Sequence, residues 1–248
     1  MKAYTEPYFF NIFKDQPLIH CFSTRKGGFS QDPFKSLNLG LSTPDNKNDV
    51  KKNRKLFFDH LKIDPKDLAI PRQIHSDNII LVDKPGIYSD CDALVTGNRG
   101  VILTIQTADC FPVFIFDPDK NVCSIVHSGW RGTAKNITGQ TIMLMKKEMN
   151  CIAENMLVAI GAGVQQRNYQ VDSKTAAHFD NDFLLEDGKD HFRLDIQGNI
   201  IAQVLETGVL NKNIECDTRC TYDTGYFYYS YRRDGQYSGR MMGVIGLL

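Results

Sequence analysis

The chain has 248 residues, enough for one sizeable buried core. Lys plus Arg number 29 and Asp plus Glu number 29, so there is no basic excess of the kind that grips nucleic-acid phosphates. No run approaches the roughly 18 apolar residues of a membrane span, and the stretch from Met1 to Phe13 lacks the apolar core and cleavage site of a signal peptide. Seven cysteines, an odd number without an export signal, point to reduced thiols and a cytoplasmic location.

Taken in chain order, His20-Cys21-Phe22-Ser23-Thr24 reads as a strand ending in the loop Arg25-Lys26-Gly27-Gly28. From Asn48 to Leu61, Val50, Leu56, Phe57 and Leu61 fall on one helical face. Short strands are expected at 79–82 and 92–95. The clearest sheet core follows, at Val101 to Ile105, Val113 to Phe116 and Val122 to Val126, the last two joined by the turn Asp117-Pro118-Asp119-Lys120-Asn121. After Trp130-Arg131-Gly132 the spacing of Ala134, Ile137, Thr141, Leu144, Met145 and Glu148 predicts a helix. Leu157 to Ala162 reads as a buried strand, and 176–179 and 200–210 as helical segments. Tyr226 to Tyr231 and Met241 to Leu248 read as two closing strands. Strands mixed with helices and hairpins predict an α/β or α+β fold, with a mixed sheet flanked by helices in one domain spanning 1–248.

Metal-capable side chains stand at the strand ends. His75 precedes a short strand, Cys110 follows the run 101–105, and His127 ends the next core strand. If the strands around 117–121 pair, residues 110 and 127 meet at one end of the sheet. Two imidazoles and a thiolate then make a three-ligand site with an open position, the pattern of a catalytic zinc. Spacing leaves two alternatives open: Cys110 as a nucleophile with His127 as its base, or buried structural residues. Cys216 and Cys220 have no nearby His or Cys partners and read as structural thiols.

Further residues carry a resemblance. Ser23-Thr24-Arg25-Lys26-Gly27-Gly28, Ser36-Leu37-Asn38-Leu39-Gly40, Asn53-Arg54, Gln73-Ile74-His75, Asp92-Ala93-Leu94-Val95-Thr96 and Thr107-Ala108-Asp109-Cys110-Phe111-Pro112-Val113 run along the first half. His127-Ser128-Gly129-Trp130-Arg131-Gly132, Gly161-Ala162-Gly163, Ser230-Tyr231-Arg232-Arg233-Asp234 and Gly239-Arg240 complete the set. With these the chain resembles the YfiH-type family, also called the multicopper polyphenol oxidoreductase or laccase-domain family and peptidoglycan editing factors. Ser128 departs from the family's common Ala.

The resemblance implies a fold like that of putative cysteine hydrolases and metal ligands at His75, Cys110 and His127, with zinc ahead of copper. Polyphenol oxidation does not fit the residues. Multicopper oxidases need many histidines in His-x-His pairs, whereas this chain has six and no such pair. One His₂Cys set can hold at most a single copper.

The activity implied instead is phosphorolysis of purine nucleosides (adenosine, inosine, guanosine, methylthioadenosine) with adenosine deamination. Zinc can bring the pKa of a bound water down to about 7, ready to attack C6 of adenine. Asp92 and Asp109 are the candidates to shuttle the proton, each with a structural alternative. For phosphate and substrate the candidates are Arg25, Arg54, Gln73, Arg131 and Arg233, with Arg232 beside the last. Arg131 opens a helix, where anions are favoured. Phe111, Trp130 and Tyr231 are candidates to stack on a base. A cysteine hydrolase acting on an amide in cell-wall precursor editing, through Cys110 and His127, remains the competing class, and a non-catalytic zinc-stabilised module a third. No nucleic-acid or membrane partner is expected, and a homodimer is left open.

Overall fold

In the computed structural model, which describes residues 4–248, the long apolar runs of the sequence lie in strands buried on both faces. The first half contains β1 (Leu18–Phe22), α1 (Lys47–Leu61), β2 (Leu68–Pro71), β3 (Ile79–Leu81), β4 (Gly86–Tyr88) and β5 (Ala93–Thr96). The centre contains β6 (Ile102–Thr107), β7 (Phe111–Asp117), β8 (Val122–Ser128), α2 (Trp130–Ala134), α3 (Ile137–Met149) and β9 (Leu157–Ile160). The rest contains β10 (Gln170–Asp172), α4 (Ser173–Ala176), β11 (Leu184–Glu186), β12 (His191–Leu194), α5 (Ile196–Glu206), β13 (Ile214–Cys216), α6 (Tyr231–Asp234) and β14 (Met241–Leu247).

These strands form three sheets. One has the order β1-β14-β6-β2-β4, another β13-β9-β7-β8-β5-β3, and a small one β10-β12-β11. Parallel and antiparallel pairings coexist in both large sheets, so the expected mixed α+β architecture is present.

Alternation along the strands explains the layering. On β7, Phe114 and Phe116 pack with Leu103, Ile105 and Ile245 of the facing sheet. Their neighbours Val113 and Ile115 turn the other way, onto Ile137, Ile142 and Met145 of α3 and Ile200 and Val204 of α5. The outer face of the other sheet, including Ile102, Met242 and Val244, is covered by Phe57 and Phe58 of α1. The order of layers is therefore helix, sheet, sheet, helix. Each fully buried Phe contributes about 1.5–3 kcal/mol of transfer free energy, and a strand covered on both faces has to be apolar throughout.

The helices end where capping chemistry ends them. Asn46 caps α1, its side chain accepting from the N–H groups of Asn48 and Asp49, and Lys62 closes it in a left-handed conformation at φ 56°. Asn136 caps α3 through the N–H of Gly139.

Three expectations need correction. Tyr226 to Tyr231 is not a strand but a run of turns leading into α6. The segment expected at 176–179 is the single turn α4, three residues earlier. The helix expected at 200–210 starts at Ile196, where Asp195 caps it through the N–H of Gly198, and ends at Glu206. Among the described residues no helix is long and apolar enough to cross a membrane.

Candidate metal centre and active site

β7 and β8 are antiparallel neighbours, with Phe111 opposite Ser128 and Pro112 opposite His127. Cys110 therefore sits just beyond the end of β7, beside the end of β8, as the hairpin reading requires. His75 arrives from the loop joining β2 to β3. One ligand atom each from His75, Cys110 and His127 lies within 4.8 Å of the others.

This loop is held by one carboxylate. Asp92, at the entrance to β5 and fully buried, accepts five hydrogen bonds. Oδ1 receives His127 Nδ1 at 2.8 Å and the His75 N–H at 3.1 Å. Oδ2 receives the N–H groups of Ile74 and Ser76 at 3.2 and 2.6 Å and the Ser76 hydroxyl at 2.8 Å. His75 itself is in the left-handed region at φ 59°, a conformation that persists in a non-glycine residue only where its surroundings enforce it. With Nδ1 of His127 committed to Asp92, its Nε2 remains for the centre.

Gly129 makes room for the sulfur. A Cβ there would lie 2.8 Å from Cys110 Sγ and 3.3 Å from His75 Cδ2, so only glycine lets the β8 end pass so close.

The electrostatics follow from this packing. Burial alone pushes the Cys110 thiol up, but the His127 and His75 imidazoles outweigh it and bring its pKa to about 6. Burial pulls His127 down, and the Cys110 thiolate with Asp92 outweighs that, raising it to about 9. Asp92 is opposed by its own burial, yet the hydrogen bonds from His127 and Ser76 hold it at about 2. Asp109 is different: burial raises its pKa despite bonds from the Thr221 hydroxyl and the Arg232 N–H, each at 2.6 Å.

Two imidazole nitrogens and a thiolate sulfur are the donor set of a borderline-soft ion such as zinc. A tetrahedral ion with bonds of about 2.0–2.3 Å spaces its ligands roughly 3.5 Å apart. The three atoms, within 4.8 Å of one another, thus need to draw together by at most about 1.3 Å, and the residues fit such an ion.

The other candidate residues fall into two groups. Arg25 donates to Lys35 O and Gly225 O and lies 4.6 Å from the Tyr229 ring centre. Arg54 donates to Leu39 O over Phe58, and Gln73 is tied to both the N–H and the carbonyl of Gln106. Arg233 is spent on Thr221 O, Tyr222 O and Asp234. These four tie backbone segments together, in place of the free, substrate-facing groups that the sequence leads one to expect. Arg131, by contrast, stacks on Trp130 at 4.2 Å and is exposed. α2 is only five residues long, too short to add a meaningful dipole.

A small cavity of about 30 Å³ reaches Cys110, walled by Phe111, Gly129, Trp130, Val164, Tyr169 and Ile196. Trp130 and Tyr169 also wall a broad polar cleft of about 720 Å³ lined by Asn168, His191, Arg193 and Arg232. Tyr169 and Ile196 are functional-site neighbours that no sequence motif announces. Of the three aromatic candidates Tyr231 is exposed and outside this lining, Phe111 walls the cavity from the core, and Trp130 lines both the cavity and the cleft.

A profile of the family described as multi-copper polyphenol oxidoreductase laccase matches residues 19–248. The chain belongs to this family. Among relatives of this laccase-type family, a purine nucleoside phosphorylase of Deinococcus radiodurans is 35% identical over 92% of this chain and 88% of its own length. The purine nucleoside phosphorylase YfiH of Escherichia coli is 30% identical over 92% of this chain and 93% of its own. The crystal structure of YlmD from Geobacillus stearothermophilus matches with a TM-score of 0.91 at 28% identity, covering 96% of this chain and 94% of that one. The YfiH structure from Bacillus licheniformis gives 0.90 at 29%, with 93% of each chain covered. The donors present do not fit the oxidase in the family's description. Among the described residues one group of three side chains is placed to hold a metal, and the whole sequence has six histidines.

Proposed function

We propose that this protein is a zinc-dependent purine nucleoside phosphorylase that also deaminates adenosine, acting in the cytoplasm. The observation that carries the proposal is the convergence of His75, Cys110 and His127 within 4.8 Å of one another, with Cys110 reached by a cavity walled by Trp130 and Tyr169. Support comes from relatives of nearly the same length that bear the phosphorylase name.

His75, Cys110 and His127 would hold the ion, which supplies Lewis-acid chemistry at neutral pH when bound. Asp92 orients His127 and fixes the His75 loop, so its part is positioning. A carboxylate at about 2 with five donors on it is a poor base at neutral pH. Asp109 keeps both oxygens engaged by Thr221 and Arg232, and we assign it to anchoring α6. Trp130 and Tyr169 offer aromatic faces to a purine, and Phe111, Val164 and Ile196 keep water from the Cys110 end.

In phosphorolysis a phosphate oxygen bonds to C1′ as the C1′–N9 bond breaks. The electron pair goes to the purine, which takes up a proton, leaving free base and ribose 1-phosphate. In deamination the oxygen of water replaces the C6 amine, which leaves as ammonia. The test is incubation of zinc-loaded protein with adenosine or inosine and phosphate. Adenine, hypoxanthine and ribose 1-phosphate are the expected products, and inosine appears from adenosine. No product from any purine nucleoside overturns the assignment.

A further inference from the structure

Arg240 stands at the head of β14, next to Met241, which pairs with Thr107, three residues before Cys110. Its N–H donates to Asn38 Oδ1 at 2.9 Å, and its stem packs on Gly40, where a Cβ would lie 2.7 Å from Arg240 Cγ. The guanidinium stands 5.5 Å from the Tyr231 ring centre. Its Nη1 donates to Ser238 O and Gly239 O. Half-buried, it has no carboxylate partner among the described residues. Burial lowers its pKa, against the pull of Cys110 and Asp109.

Two more guanidiniums, each over an aromatic ring that lines the Cys110 cavity, are likewise without a carboxylate. Arg131 stacks on Trp130, and Arg232 bonds Gln170 O and lies 5.5 Å from the Tyr169 ring centre. Trp130 and Tyr169 both wall the cavity that reaches Cys110, so each of these two arginines rests on one of its aromatic walls. Four other arginines are neutralised, Arg167 by Asp223, Arg193 by Asp187, Arg219 by Asp217 and Arg233 by Asp234, whereas Arg25 and Arg54 lack a carboxylate and donate to backbone carbonyls. A half-buried cation without a counter-charge, as Arg240 is, is costly, and with two exposed guanidiniums stacked on the aromatic walls of the Cys110 cavity it matches an anion that arrives with the substrate. Guanidinium forks suit tetrahedral oxyanions in particular.

We infer that Arg131, Arg232 and Arg240 form the site for the inorganic phosphate that attacks C1′, an assignment that rests on the phosphorylase reading above. Arg240 is the inner member and Asn38 is its mount. The phosphate enters as an oxyanion, forms the O–C1′ bond and leaves on the ribose. The guanidiniums take up its charge throughout and exchange no proton.

The experiment is calorimetric titration of the zinc-loaded full chain with inorganic phosphate, alone and with hypoxanthine present. Arg240→Met and Arg232→Met should each weaken phosphate binding by about tenfold or more, with Arg240→Lys in between. Arg99→Met, on the exposed loop after β5, should bind as the parent does. In turnover, the KM for phosphate should rise while that for inosine stays. Unfolding midpoints identify a variant that has lost its fold, in which case the lysine variant decides. Absence of phosphate binding by the parent under both conditions overturns the site, as does unchanged affinity in the Arg240 and Arg232 variants. Phosphate binding without phosphorolysis removes the proposed activity and leaves the anion site. Phosphorolysis with an unchanged phosphate KM in the variants removes the site and leaves the activity.

Discussion

Asp92 accepts from His127 Nδ1 at 2.8 Å and from the backbone N–H of His75 at 3.1 Å with the same oxygen. One carboxylate atom therefore sets both imidazoles of the centre, one by its ring and the other by its chain. Asp92→Asn keeps the shape but puts a donor amide against one of these groups. Zinc affinity, measured by competition with a chelator, should fall by about 10–100-fold. An unchanged affinity would show that the histidines are positioned by something else.

Gly129 gives a second, independent handle on the centre. In Gly129→Ala the new methyl would press on Cys110 Sγ at 2.8 Å, and either the sulfur or the β8 end must move. The expected cost is about 1–3 kcal/mol of stability and loss of most bound zinc, read by urea unfolding and elemental analysis. Full zinc content at parental stability would mean that the β8 end has slack.

The acid–base balance of the metal-free protein is testable through Cys110. Its pKa is lowered to about 6, so the thiolate fraction climbs from pH 5 to pH 7, far below the range of an ordinary thiol. Iodoacetamide should label Cys110 with a midpoint near pH 6, and zinc should protect it. Cys123 has its pKa raised to about 12 by burial and Cys21 is raised by the same cause, so neither should compete. The sign of the stability linkage follows. Cys110, lowered, adds stability as pH rises from 6 to 9, whereas His127, raised to about 9, withdraws it from about 6.5 to 9. The two slopes oppose each other, and unfolding free energy of the metal-free chain should be nearly flat from pH 6.5 to 9. Below about pH 6 Cys110 is protonated whether folded or unfolded, as is His127, so these two groups should add no further slope there. Rapid labelling of zinc-loaded protein at Cys110 would favour the cysteine-hydrolase reading.

Much of this arrangement was legible from residue pattern. Val101–Ile105, Val113–Phe116 and Val122–Val126 announce central strands because apolar side chains are needed on both of their faces. The turn at 117–121 then brings Cys110 and His127 together. β2 was not legible, because Leu68-Ala69-Ile70-Pro71 is short and ends in proline, and β10, β11 and β12 are half exposed and carry no clean alternation. The arginine roles were also hidden. Whether a guanidinium meets a carboxylate, as Arg167 does with Asp223, or only carbonyls, as Arg54 does, depends on contacts between segments far apart in the chain.

The Tyr226–Tyr229 run shows why aromatic density misleads, and it supplies a last prediction. Tyr228 and Tyr229 are buried, yet each hydroxyl is spent on a specific partner, Asp217 at 2.9 Å and Phe34 O at 2.6 Å. Burial of a phenol demands such a partner, and a regular strand would not deliver both. Asp217 in turn holds Arg219 through Nε at 2.8 Å and Nη2 at 2.6 Å. The guanidinium plane lies 4.5, 4.9 and 5.3 Å from the ring centres of Tyr8, Phe227 and Tyr228. Lysine has neither the fork nor the plane. Arg219→Lys should therefore cost about 2 kcal/mol, from one lost charge-assisted bond and weaker stacking, while zinc content stays at the parental level. Urea unfolding beside elemental analysis checks both halves, and a stability within about 0.5 kcal/mol of the parent would show that this end of the chain is held by packing alone.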